Sequence, residues 1–336
     1  TKDMLMAGKT LPGVYGASSP RMNVADLRTK GWEASVTWGD SFTLASKPFN
    51  YRIMAGIGDN TSKVTKYDNP NRTLTDPYEG QQLGEIWGYV VDGYFKTDEE
   101  ARNYKVDQSF VNQMINASAL DNGLHAGDLK FVDLDGNNKI EQTTSANDRK
   151  DMKVIGNSLP RYNYNFGISA DWYGIDFSVL FQGIGKQNWY PGAETSMFWG
   201  PYSRPYASFI PSDFMSQVWS EENTDAYFPR PRGYVALGSN RELAVVNTKY
   251  LQNLAYCRLK NLSIGYTLPD KWLSKIGFEK IRVYFSGENL LTFTKLHSDY
   301  IDPEQASASN SWKTSKSDAN IYPWAKTYSF GVDITF

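Results

Sequence analysis

The chain has 336 residues, enough for one large domain or two ordinary ones. Its formal charge of −2 excludes a broad electrostatic attraction to nucleic acid. No apolar run approaches the ~20 residues of a spanning helix, which leaves open a membrane β-barrel, whose half-apolar strands cross in about 9–11 residues. Aromatic residues make up 15% of the chain, heavy for a soluble domain and suited to aromatic girdles and sugar-facing loops. The single Cys257 excludes an internal disulfide or a cysteine metal pair. Thr1 opens polar sequence with no charged and then apolar leader, so the chain reads as a processed or partial product with any export signal upstream.

In chain order, Gly8–Pro20 is rich in Gly and Pro and reads as a loop. Trp32, Ala34, Val36 and Trp38 then alternate with Glu33, Ser35 and Thr37, the period of a strand with one apolar face. A link, Gly39–Pro48, leads to a second strand carrying Tyr51, Ile53, Ala55 and Ile57. The alternation is lost from about Lys66 to Pro160. Inside that stretch Glu85–Phe95 reads as a small hairpin, and Thr97-Asp98-Glu99-Glu100 as a capped helix start with an acidic first turn.

Tyr162, Tyr164, Phe166, Ile168, Ala170 and Trp172 resume the period. Tyr173–Gly174 makes a tight turn into Ile175, Phe177, Val179 and Phe181, giving a hairpin with one apolar and one polar face. After a long irregular stretch, Lys186–Asn253, come strands through Leu262–Leu268 and Ile281–Gly287, linked by Pro269–Lys280. The loop Leu296–Pro323 precedes a last strand, where Tyr328, Phe330, Val332, Ile334 and Phe336 alternate with small or polar residues. Connections alternate long and short, so short turns fall at one rim and long loops at the other. That is the pattern of an outer-membrane barrel with about eight strands in this chain. The inward face is polar (Arg52, Asn163, Asn165, Ser169, Gln182, Asn261, Ser263, Arg282, Glu288), which suits a wide lumen holding water or a plug better than a small packed barrel.

Several short motifs then point to a family. They include Tyr15-Gly16-Ala17-Ser18-Ser19-Pro20, Thr29-Lys30-Gly31-Trp32-Glu33, Gly127-Asp128-Leu129-Lys130, Ile155-Gly156-Asn157-Ser158-Leu159-Pro160 and Arg258-Leu259-Lys260-Asn261-Leu262. Asp133-Leu134-Asp135-Gly136-Asn137-Asn138-Lys139-Ile140 and Gly287-Glu288-Asn289-Leu290-Leu291-Thr292 complete the set. Together, in this order, they resemble the SusC/RagA family of TonB-dependent outer-membrane transporters from about Leu11 to Phe336. The resemblance implies an all-β fold, a transmembrane antiparallel barrel of 22 strands, of which residues 1–336 supply the C-terminal strands with long extracellular loops. It also implies an N-terminal plug, TonB box and first barrel strands outside this chain, and a SusD-like lipoprotein as a lid. The expected location is the outer membrane of a Gram-negative, Bacteroidetes-like cell, with outer-membrane lipid around the wall. The implied activity is TonB-energised import of oligosaccharides, or in some members peptides. A self-contained eight-stranded barrel used for adhesion or structure is the alternative from another class.

Three groups of residues carry candidate chemistry. Asp133, Asp135, Asn137 and Lys139 occupy positions 1, 3, 5 and 7 of a calcium loop, but Asn138 replaces the usual glycine and Thr144 stands at position 12, leaving Asp148 as a late carboxylate. A structural Ca2+ site and an Asx-rich turn are both consistent with this pattern. The Lys186–Asn253 loop offers Trp189, Tyr190, Trp199, Tyr202 and Tyr206 for substrate or lid contact, with packing among the loops as the alternative use of these rings. Catalysis is not expected. The only histidines, His125 and His297, fall in loops without a zinc or nucleophile signature, and Asp302 and Glu304 read as solvated loop carboxylates.

Overall fold

Alternation along the chain becomes a wall of eight antiparallel strands. They are β1 (Met4–Ala7), β2 (Arg21–Leu44), β3 (Lys47–Lys66), β4 (Arg161–Trp172), β5 (Ile175–Lys186), β6 (Tyr256–Thr267), β7 (Lys280–Thr294) and β8 (Thr327–Thr335), each hydrogen-bonded to the next in sequence. The computed structural model describes residues 1–7, 13–16, 20–112, 123–206, 209–238, 241–273, 277–306, 316–317 and 322–336. Parts of the predicted Gly8–Pro20 loop and of its motif (Ala17, Ser18, Ser19) lie outside them, as does much of the Leu296–Pro323 loop. Among the described residues no ladder joins β1 to β8, so these eight strands form an open wall.

The pairing register sorts the two faces. One row across seven strands reads Gly39, Arg52, Ser169, Ser178, Ser263, Ser286 and Ser329. The adjacent row reads Asp40, Tyr51, Ala170, Phe177, Ile264, Phe285 and Phe330. A slip of one residue in any strand would exchange the faces, so the apolar pattern and the register fix each other. The apolar face is uncovered: Phe330 is 83% exposed and Ile168 43%. Such a face is stable only against lipid, and the wall is that of a transmembrane antiparallel β-barrel. On the polar face Arg282 donates from Nε and Nη2 to both Asp176 oxygens (2.8 and 2.6 Å) and from Nη1 to Asp333 (3.2 Å). Glycine at 265 leaves the room for this cluster, since a Cβ there would meet the Arg282 guanidinium at 2.6 Å.

Turn chemistry shapes one rim. Ala45–Ser46 (φ 49° and 61°) and Tyr173–Gly174 (φ 50° and 86°) are two-residue connections with positive φ at both positions, matching strand twist. The first of these corrects the predicted Gly39–Pro48 link. Strand continues through Asp40–Leu44 and resumes at Lys47. Asp40 interrupts the apolar face there, and that break hides the strand's continuation. A short helix, α1 (Asp98–Arg102), starts as expected, with the Thr97 hydroxyl accepting from Glu100 N at 3.1 Å. The predicted Glu85–Phe95 hairpin is not one. Glu85–Tyr89 pairs with Met152–Asn157, and Val91–Tyr94 with Leu129–Phe131. Each half therefore finds a distant partner instead of its neighbour.

Three of the long loops, those after β3, β5 and β7, emerge at the other rim and share one buried apolar cluster. Tyr89, Phe131 and Ile140 come from the first, Trp189, Trp199 and Tyr250 from the second, Leu296 and Ile301 from the third. Cross-loop hydrogen bonds bind the first to the second: Tyr89 N donates to Val246 O (2.9 Å), Thr248 N to Tyr89 O (3.0 Å) and Val91 N to Thr248 Oγ1 (3.0 Å). The loops form a single cap with its own core.

Candidate functional site

The cap is where long loops and polar chemistry converge, so the predicted contact residues belong there. Four of the five are inside it. Trp189, Tyr190 and Trp199 are completely buried and Tyr202 nearly so. Three of their polar tips are bonded inside the cap: Tyr190 Oη donates to Leu243 O (2.9 Å), Trp199 Nε1 to Gly192 O (2.9 Å) and Tyr202 Oη to Pro229 O (2.7 Å). Burial pushes the Tyr190 and Tyr202 phenols above their ordinary range. The expectation that these four touch substrate or lid is therefore corrected. Ring faces that suit sugars also suit one another, and three loops outside the membrane need a core of their own. Tyr206, the fifth candidate, lies at the surface, 78% exposed, with its Oη accepting from Arg204 Nη1 at 2.7 Å.

Other exposed apolar groups join Tyr206 on the cap. Phe209 meets the Tyr300 ring edge-on at 4.8 Å, and Ile210, Met215 and Tyr234 are exposed. Phe209, Ile210 and Met215 carry no periodicity and escape a sequence reading. Their neighbours Pro211 and Asp213 give only a loop signal.

Charges knit the cap beneath this surface. The buried Asp128 carboxylate accepts from Arg230 Nε at 2.5 Å and from Arg232, whose Nε also donates to Glu242 at 2.6 Å. Burial raises the Glu242 pKa, against the opposing effect of Arg232. The neighbouring Gly127 (φ +80°) passes so close to Trp219 that a Cβ would stand 2.6 Å from its ring. The Gly127-Asp128 pair thus locks the first loop to the second. A second network corrects the reading of Asp302 and Glu304 as solvated. Arg258 on the polar face of β6 donates to Asp302 and to Glu304 at 2.6 Å each, and Lys260 donates to Glu304 at 2.7 Å. The third loop is held down on the inner wall by these bonds. His297 lies stacked on Tyr227 (3.5 Å between ring centroids) and bonded to Gln217 (2.8 Å), and burial lowers its pKa. His125 stands apart, 3.8 Å from Asp98.

In the acidic loop the structure brings Asp133 and Asp135 together with Asp151, their oxygens within 4.8 Å of one another. Asp148 instead bridges to Ser145 and is outside that group. Each Asp133 oxygen accepts a backbone amide, from Gly136 and from Asn138, both at 2.7 Å. Asn138 takes the left-handed conformation (φ 62°), Asn137 Oδ1 accepts from Lys139 N at 2.8 Å, and the Lys139 backbone forms an isolated parallel β-bridge with Asp107. Asp151 accepts from Leu134 N and Glu141 N (2.9 and 2.7 Å), and its burial raises its pKa. The loop is folded as an Asx-rich turn whose carboxylates accept backbone amides, and the same fold gathers Asp133, Asp135 and Asp151 within reach of one another.

A lipid-facing strand wall with a polar inner side and a loop cap at one rim defines an outer-membrane-type β-barrel segment. Over its whole length the chain is 27% identical to TonB-dependent receptor P3 of Formosa agariphila, covering 31% of that protein. It is 21% identical to TonB-dependent receptor SusC of Bacteroides thetaiotaomicron, covering 29% of it. The RagAB peptide importer in its open-open state superposes with a TM-score of 0.67 at 19% identity, over 100% of this chain and 32% of the matched one. No family model matches the chain. Over its whole length the chain is thus similar to TonB-dependent receptors, SusC among them, and it spans about a third of the length of the relatives it matches.

Proposed function

We propose that residues 1–336 are the C-terminal part of the barrel of a TonB-energised outer-membrane importer of oligosaccharides. Its plug, TonB box and first strands lie elsewhere in the protein, and a SusD-like lipoprotein closes it from outside. One observation carries this reading: the whole chain matches TonB-dependent receptors while its own eight strands form an open wall with a polar inner face. A wall whose two edges are unpaired among the described residues needs more strands to complete it, which favours the importer over a self-contained small barrel. The exposed Tyr206, Phe209, Tyr234 and Tyr300 are among the rings available to a sugar or a lid. Peptide import is the second reading, favoured by the likeness to the RagAB peptide importer. Uptake by cells carrying the intact receptor decides between them. Oligosaccharide uptake that stops when TonB is deleted supports the first reading, TonB-dependent peptide uptake the second, and uptake indifferent to TonB overturns both. Orientation is checked separately by Tyr206→Cys, which should react with a membrane-impermeant thiol reagent on intact cells. Labelling only after the outer membrane is broken would place the cap inside.

A further inference from the structure

On β2 the lipid-facing row runs upward from Phe42 through Asp40, Trp38, Val36 and Ala34 to Trp32. Ten residues at ~3.3 Å, tilted by ~40°, rise about 25 Å, the height of the apolar band of a membrane barrel. Trp32, half exposed, therefore marks the upper interface, with the ring and indole N–H suited to headgroup depth. The strand does not stop there. β2 has 24 residues and β3 20, about twice what a crossing needs. By alternation the next two residues above Trp32 on the same face are Lys30 and Arg28, and the register sets Lys63 of β3 beside Arg28. All three are exposed, and no salt bridge to any of them occurs among the described residues.

The acidic groups around them are taken. Asp59, across from Trp32, is held by Arg161 (2.5 Å). Asp26 accepts from Asp3 N (2.8 Å), while Asp3 faces Lys66 at 3.9 Å. On the far side Lys63 bridges to Gln82, and the nearby Glu85 carboxylate accepts from Tyr78 Oη (2.6 Å) and Gln82 N (2.9 Å). Among the described residues the three cations thus make no ion pair on the membrane-facing side, just above the aromatic border.

We propose that Lys30, Arg28 and Lys63 form a binding site for the phosphorylated headgroup of an anionic lipid in the outer leaflet. Two strands present Arg28 and Lys63 side by side, with Lys30 one pleat below. A guanidinium can clasp a phosphate with two parallel N–H bonds while the ammonium groups supply point charge. The lipid's acyl chains would lie down the Trp32–Trp38 face. The assignment to the outer leaflet rests on the cap being extracellular, which the Tyr206→Cys experiment decides without reference to lipid.

The test uses the intact receptor, extracted and placed in nanodiscs of neutral phosphatidylcholine containing bisphosphorylated lipid A as the probe. Native mass spectrometry counts the lipid A retained. The Arg28→Ser, Lys30→Ser, Lys63→Ser variant should lose about a hundredfold in apparent affinity, and Lys63→Ser alone about fivefold. The exchange Arg28→Lys with Lys63→Arg should keep most of the binding. Raised salt should weaken retention, and inorganic phosphate at matched concentration should not displace the lipid. Equal retention by Lys63→Ser and the triple variant as by the parent overturns the site, as does equal retention of dephosphorylated lipid A. Displacement by inorganic phosphate would make it a free-anion site and overturn the lipid assignment.

Discussion

Wall and cap use the same side chains in opposite ways. In the wall, Phe330 is 83% exposed; in the cap, Trp199 is 0% exposed. Both are stable because the surrounding medium differs. Hydrocarbon solvates the outer face of the wall, so its strands need no core and spend their order on backbone ladders. Water surrounds the cap, so its aromatic rings must cover one another, as Trp199 does with Phe198 (4.8 Å) and Tyr250 (5.2 Å). The same aromatic richness that announces a membrane barrel therefore builds a water-soluble core at its rim.

Removing the last strand tests the wall most severely. Deleting Tyr328–Phe336 takes away the ladder with β7 and should abolish the heat-modifiable barrel in outer-membrane fractions. Normal insertion of the truncated protein would show that the wall does not depend on this edge. Trp199→Ala should cost the cap about 3–5 kcal/mol through a cavity in its core, while the wall still inserts. Proteolysis from outside should then cut the Lys186–Asn253 loop; loss of the barrel together with the cap would mean the two are one folding unit. On the wall, Ile168→Arg should cost about 2–4 kcal/mol near the membrane midplane, and Asn165→Arg on the other face much less. Equal losses from the pair would invert the assignment of faces.

The smallest effect is a pH dependence confined to the cap. Burial lowers the His297 pKa from its ordinary 6.5, only partly opposed by Asp299. The unfolded chain then binds the proton more readily, so the contribution of His297 is complete above the unfolded value and is lost as pH falls from there through the lowered one. Protection of cap amides, corrected for the intrinsic pH dependence of exchange, should fall as pH drops below about 6.5, while protection of wall amides stays constant. His297→Gln should flatten that slope; an unchanged slope would assign it to other groups.

The wall was legible from residue types alone because each strand faces two different media, and a period of two is the direct record of that asymmetry. Tyr162–Trp172 and Tyr328–Phe336 show it without interruption, and the likeness to TonB-dependent receptors agrees with the motifs that point there. Legibility fades where the asymmetry does. The upper halves of β2 and β3 stand clear of hydrocarbon, so Arg21–Thr29 and Asn60–Lys66 carry no apolar alternation, yet they are strand. What only the tertiary structure decided was who meets whom. Glu85–Tyr89 bonds to Met152–Asn157 rather than to its neighbour, and Asp151 rather than Asp148 joins Asp133 and Asp135. Trp189, Tyr190, Trp199 and Tyr202 turn inward while Tyr206 stays out. A loop ring has the same composition whether it packs or binds. Its role is set by contacts with segments far along the chain, and no local period encodes those.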